Sequence, residues 1–151
     1  MDTSQTDQLA ELIAAKHGCL RQLVELGRAQ LELIEANDLP RLLRVLAAKQ
    51  TLIGQLQTVN RSLGPFRQQD PESRVWRSPE LRERSAEQLR MCDEMFSLVT
   101  GQEQESEQRL RTQRDDVGDR LRLANAADRA RSAYATSQSR STHELDLASN
   151  E

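Results

Sequence analysis

Leu42-x-x-x-Leu46-x-x-Lys49-x-x-x-Ile53-x-x-Leu56-x-x-x-Asn60-x-x-Leu63 is an unbroken alternation of four- and three-residue steps. On an α-helix this spacing brings all seven side chains onto one face, and such a face needs a partner helix to cover it. The ladder predicts a helix over 39–63, with Leu46 and Ile53 in its seam and Gly64-Pro65 as its stop. Two seam positions are polar. Lys49 reads either as a residue that fixes register or as a side chain that snorkels to water. Asn60 reads as the frayed end of the helix.

Upstream, 5–35 carries Leu9, Leu12, Ile13, Cys19, Leu20, Leu23, Val24, Leu26, Leu31, Leu33 and Ile34 at helical spacing. This stripe is wider than a two-stranded seam needs, so the first helix is expected to touch two others. Gly18 and Gly27 lie inside it, each costing about 1 kcal/mol against Ala. Close approach of a neighbouring helix or a mild bend would account for them. Between the two helices stands Asn37-Asp38-Leu39-Pro40. Asp38 can cap the second helix, and Pro40 sits in the first turn, where its missing N–H does little harm. So short a connection makes the two helices antiparallel neighbours.

Residues 64–78 read as a linker, yet Phe66, Val75 and Trp76 are too apolar for full solvation, and at least one should dock on a helix end. Ser78-Pro79-Glu80 then opens a third helix, with Ser78 as cap. Its apolar residues are Leu81, Leu89, Cys92, Met95, Phe96 and Val99. The pattern fades over 101–108 and returns as Leu110, Val117, Leu121 and Ala124. Over 79–134 a straight helix would extend roughly 80 Å, against about 45–50 Å for the first helix, and would overhang it; Gly118 is a place for a bend. From Ala135 the chain is Ser/Thr-rich and should be disordered in isolation. The fold class is therefore all-α. The sequence predicts an elongated antiparallel three-helix coiled-coil-like bundle with a long third helix, a domain over 1–134 and a disordered tail over 135–151.

Composition agrees. The hydrophobic share is 36%, the aromatic share 3% and the charged share 30%, which suits helices that each bury a stripe better than it suits a broad core. Net charge is −3, which argues against nucleic acid as the main partner, since phosphate binding needs an uncompensated basic surface. No apolar run reaches the length of a membrane span, and the polar start is unlike a secretory leader, so the expected location is cytoplasmic. Cys19 and Cys92 fall at apolar helical positions and read as buried reduced thiols.

Groups for chemistry are sparse. Of the two histidines, His17 has no ligand partner on its own helical face and His143 lies in the tail. The sequence holds no phosphate loop and no HExxH, GxSxG or CxxC motif. Carboxylate pairs such as Glu83/Glu87 and Glu103/Glu107 are what solvated helix faces produce. The expectation is no enzyme, no cofactor and no metal, with function carried by a helical surface.

Leu31-x-x-Ile34-x-x-Asn37-Asp38-Leu39-x-x-Leu42-Leu43-x-x-Leu46-x-x-Lys49-x-x-Leu52 resembles the hairpin of the FlgN family of flagellar export chaperones. The likeness continues into a long third helix with Asn125 near its end, then Ala130-Arg131-Ser132-Ala133-Tyr134 and a tail. It covers most of 5–135. The resemblance implies a cytosolic chaperone that binds hook-associated proteins and passes them to the flagellar type III export apparatus. It also implies a client site on the far part of the third helix, where Leu110, Val117, Leu121, Ala124 and Tyr134 would be the apolar contacts. The alternative is a structural or adaptor coiled coil that self-associates as a homo-oligomer. Neither reading calls for nucleic acid or membrane insertion.

Overall fold

A computed structural model describes the backbone of residues 2–149 and the side chains of 2–137. Among the described residues the regular elements are α1 (Thr3–Glu35), α2 (Leu39–Arg67), a single 3-10 turn at Pro71–Ser73 and α3 (Pro79–Ser149). The chain is all-α, as its spacing predicts. It divides into two compact units, Met1–Arg109 and Leu110–Glu151.

Each helix begins on a side-chain cap. The Asp2 carboxylate accepts the Ser4 N–H at 2.8 Å, Asp38 accepts that of Arg41 at 3.3 Å, and the Ser78 hydroxyl accepts that of Leu81 at 3.1 Å. The α1–α2 reversal is a Schellman motif. Asn37 takes φ 54°, the Asp38 N–H reaches back to the Leu33 carbonyl at 3.1 Å, and the Asn37 N–H reaches Ile34 at 3.2 Å. Asparagine tolerates this left-handed conformation better than other residues with a Cβ.

The first unit is held by three seams with strict four-three steps. On α1 the seam is Leu9, Ile13, Lys16, Leu20, Leu23, Gly27, Gln30 and Ile34, all at least half-buried. On α2 it is Leu42, Val45, Lys49, Leu52, Leu56, Val59, Leu63 and Phe66. This corrects the ladder read from sequence. At alternate steps the buried residue is one position earlier, so Val45, Leu52 and Val59 replace Leu46, Ile53 and Asn60. Leu46 is 39% exposed, and Ile53 packs on the edge of a core cluster. On α3 the seam is Leu81, Ser85, Gln88, Cys92, Met95, Val99, Gln102, Ser106 and Arg109. Leu89 and Phe96 are exposed instead, Phe96 by 61%.

Two apolar clusters fill the interior. Leu9, Ile13, Leu63 and Phe66 form the lower one, with Trp76 packed against it. Leu20, Leu23, Leu52 and Cys92 form the upper one, flanked by Met95 and Val99. Phe66 explains a second difference: α2 does not stop at Gly64-Pro65 but runs to Arg67 with Pro65 inside it. Burying the Phe66 ring holds that last turn against the hydrogen bond that Pro65 cannot make. The linker is tied down as expected. Trp76 docks on the lower cluster, the Arg74 guanidinium donates to the Phe66 carbonyl at 2.7 Å, and the Thr6 hydroxyl donates to the Val75 carbonyl at 2.6 Å.

The two helical glycines of α1 differ. A Cβ at Gly27 would lie 2.1 Å from Oε1 of Gln102, so Gly27 makes room for the Gln102 amide of α3. Gly18 faces open space. On α3 the helix passes through Gly118, and its backbone runs to Ser149. No Gly or Pro follows Gly118 before Ser149, so the sequence offers no stop signal there. Asn150 and Glu151 lie outside the described residues.

The corrected seam makes a prediction for urea unfolding followed by circular dichroism. Leu23→Ala and Leu52→Ala each lower stability by about 2–5 kcal/mol. Leu46→Ala costs less than about 1 kcal/mol, and Arg44→Ala less than about 0.5 kcal/mol. Equal losses at Leu46 and Leu52 would restore the register read from sequence.

Candidate functional site

Among the described residues Lys49 is the one charged residue of the interior, 5% exposed, at the centre of the α2 seam. Its Nζ donates to Oε1 of buried Gln30 on α1 at 2.7 Å and pairs with the carboxylate of Glu103 on α3. It is a polar core residue joining all three helices, which settles the choice that the sequence left open. Burial pushes its ammonium below the ordinary lysine range. Glu103 is half-exposed, so the pair opens to water on that side. Around it the contacts with α3 are polar too. Nε2 of Gln102 donates to the Val24 carbonyl at 3.0 Å, and Arg109 reaches Glu35 at 3.2 Å. Ser106 is 2% exposed, and its hydroxyl and Oε1 of Gln102 are buried without a hydrogen-bond partner.

The cluster has no catalytic layout. Lysine, glutamine and glutamate point at one another rather than into a cavity. Cys19 and Cys92 are free thiols pushed up by burial, which makes them inert. Among the described residues no group of three or more His, Cys, Asp or Glu side chains is placed to hold a metal ion, and no helix is long and apolar enough to cross a membrane.

The second unit carries the residues singled out from sequence. Leu110, Val117, Leu121, Ala124 and Tyr134 all lie on α3 and all are exposed. On a helix with about 3.6 residues per turn, the first four fall within roughly 60° of one another. Tyr134 belongs to a second line, Leu123, Ala127, Ala130 and Tyr134, at four-three-four spacing and roughly 120° around the helix. Leu123 is 71% exposed and is not among the contacts expected from sequence. Its signal was the alanine spacing that links it to Tyr134. In the first unit the exposed apolar side chains include Leu39 and Leu43 at the start of α2 and Phe96 on α3. A shallow groove of about 560 Å³ between α1 and α2 is lined by Arg21, Leu26, Ala48, Thr51 and Leu52 among others.

Comparison of the chain with protein-family models, with curated proteins and with solved structures finds no match.

The polar core is testable by double substitution. Lys49→Met strands the buried Gln30 carbonyl and lowers stability by about 1–3 kcal/mol. Lys49→Met with Gln30→Leu removes both polar partners, and it restores or exceeds the parent stability. Thermal unfolding of the three proteins checks this; a double variant no better than the single one refutes it.

Proposed function

We propose that the chain is a cytoplasmic export chaperone of the FlgN kind. It holds hook-associated proteins before secretion and presents them to the flagellar export apparatus. The single observation that carries the reading is the exposure of Leu110, Val117, Leu121, Leu123 and Tyr134 on an α-helix. Large apolar side chains at helical spacing and in contact with water mark a surface for another helix. The likeness of the α1–α2 hairpin to that family supplies the client class. In this reading the first unit is the rigid base and residues 110–137 are the client face. Two apolar lines on one helix suit a client that wraps it, or two client helices, one along each line.

The same stripe would suit a second copy of this chain, which is the adaptor reading, and one experiment separates the two. Calorimetry or pull-down is run against purified hook-associated subunits with the full chain. Two variants accompany it, Leu110→Ser/Val117→Ser/Leu121→Ser and Leu123→Ser/Tyr134→Ser. The chaperone reading expects affinity to fall at least tenfold in the first variant, with unchanged circular dichroism, because each exposed site contributes on the order of 1 kcal/mol. Undiminished binding by both variants removes the site. No binding by the parent, with self-association that the first variant abolishes, gives the adaptor coiled coil.

A further inference from the structure

The α3 seam changes character at Gly101. Below it the seam includes Cys92, Met95 and Val99, which close the upper apolar cluster. Above it all three seam residues of the first unit are polar: Gln102, Ser106 and Arg109. This stretch is held to the hairpin by the Gln102 bond to Val24, the Glu103 pair with Lys49 and the Arg109 pair with Glu35. Water can replace each of these. Lifting the stretch would also satisfy groups that docking leaves short. The Ser106 hydroxyl and Oε1 of Gln102, both buried without a partner, would gain hydrogen bonds, and Lys49 would regain hydration. On the α3 side, docking here lacks the apolar side chains that Cys92 and Val99 contribute below, although Ile34 and Leu42 of the hairpin are buried at this level, and its polar terms are partly unmet.

We infer that Gln102–Arg109 is a releasable strap over the α1–α2 hairpin, hinged at Gly101, which opens to uncover Val24, Gln30 and Lys49 while Cys92 stays packed. Such a segment belongs to the low end of the range of local stabilities within one fold. Gly101 is exposed and carries the backbone freedom of a helical glycine. Gly27 on the hairpin leaves the space that the Gln102 amide fills. The inference rests on the first unit alone and stands whether or not the chaperone reading does.

Thiol labelling of the full chain tests it. Ser106→Cys places a small thiol at a buried strap position, and native Cys92 and Cys19 serve as internal references. After timed alkylation with N-ethylmaleimide, peptide mass spectrometry reads each site separately. The strap expects the introduced thiol to react at least about tenfold faster than Cys92, because only local opening is needed. Adding Gly27→Ala pushes the Gln102 amide aside while favouring the helix of α1. It should speed the introduced thiol several-fold further and leave Cys92 unchanged. A rate equal to that of Cys92 overturns the strap, and so does acceleration of all three thiols together by Gly27→Ala. Hydrogen exchange on the unsubstituted chain gives the independent check: amides of 102–109 should exchange faster than those of 88–99, and equal protection overturns it.

Discussion

Asn37 governs the structure by holding the one backbone conformation among described non-glycine residues that departs from the ordinary range. With φ positive there, Asp38 can return its N–H to Leu33 and at once cap α2. The chain therefore reverses within three residues, and no slack remains to let one helix slide along the other. Register follows. Gln30 meets Lys49, Leu20 and Leu23 meet Leu52, and Leu9 and Ile13 meet Leu63 and Phe66. A shift of even one residue would carry Lys49 away from the buried Gln30 amide that accepts its hydrogen bond.

That register also shows what the amino-acid order could and could not reveal. The existence of α1, α2 and α3, the Asp38 cap and the Ser78 cap were all legible, because they depend on local spacing and local hydrogen bonds. The buried line of α2 was not. Val45-Leu46 and Leu52-Ile53 are adjacent apolar pairs, so two four-three ladders run side by side, and only the third helix decides which is covered. The seam of α3 was hidden for the opposite reason. Ser85, Gln88, Gln102 and Ser106 have no apolar signature, whereas Leu89 and Phe96 do and face water. Small and amide side chains fill this seam, as the Gln102 amide does over Gly27, and they leave no mark in hydropathy. Of the candidate contact residues, all five lie exposed. The split between the Leu110 line and the Tyr134 line appears only once the helix is known to be unbroken.

The division of labour along the interior is physical. Apolar clusters fix the part of the unit near Leu9 and Leu20, where burial outweighs the entropy of ordering. Around Lys49 the interior exchanges that driving force for directionality. A buried lysine bonded to one amide of the hairpin fixes the register of α1 on α2, yet contributes little net stability. Specificity and firmness are thus set at different levels of the same unit.

The base of this unit is closed by residues far apart in the chain. Thr6 bonds the Val75 carbonyl, Asp7 pairs with Arg77, and Trp76 covers the lower cluster. During synthesis the first turns of α1 must therefore wait until residue 77 has been made before their end of the unit can be sealed. Since Trp76 is the only tryptophan, tryptophan emission, excited apart from that of Tyr134, is a report on that seal.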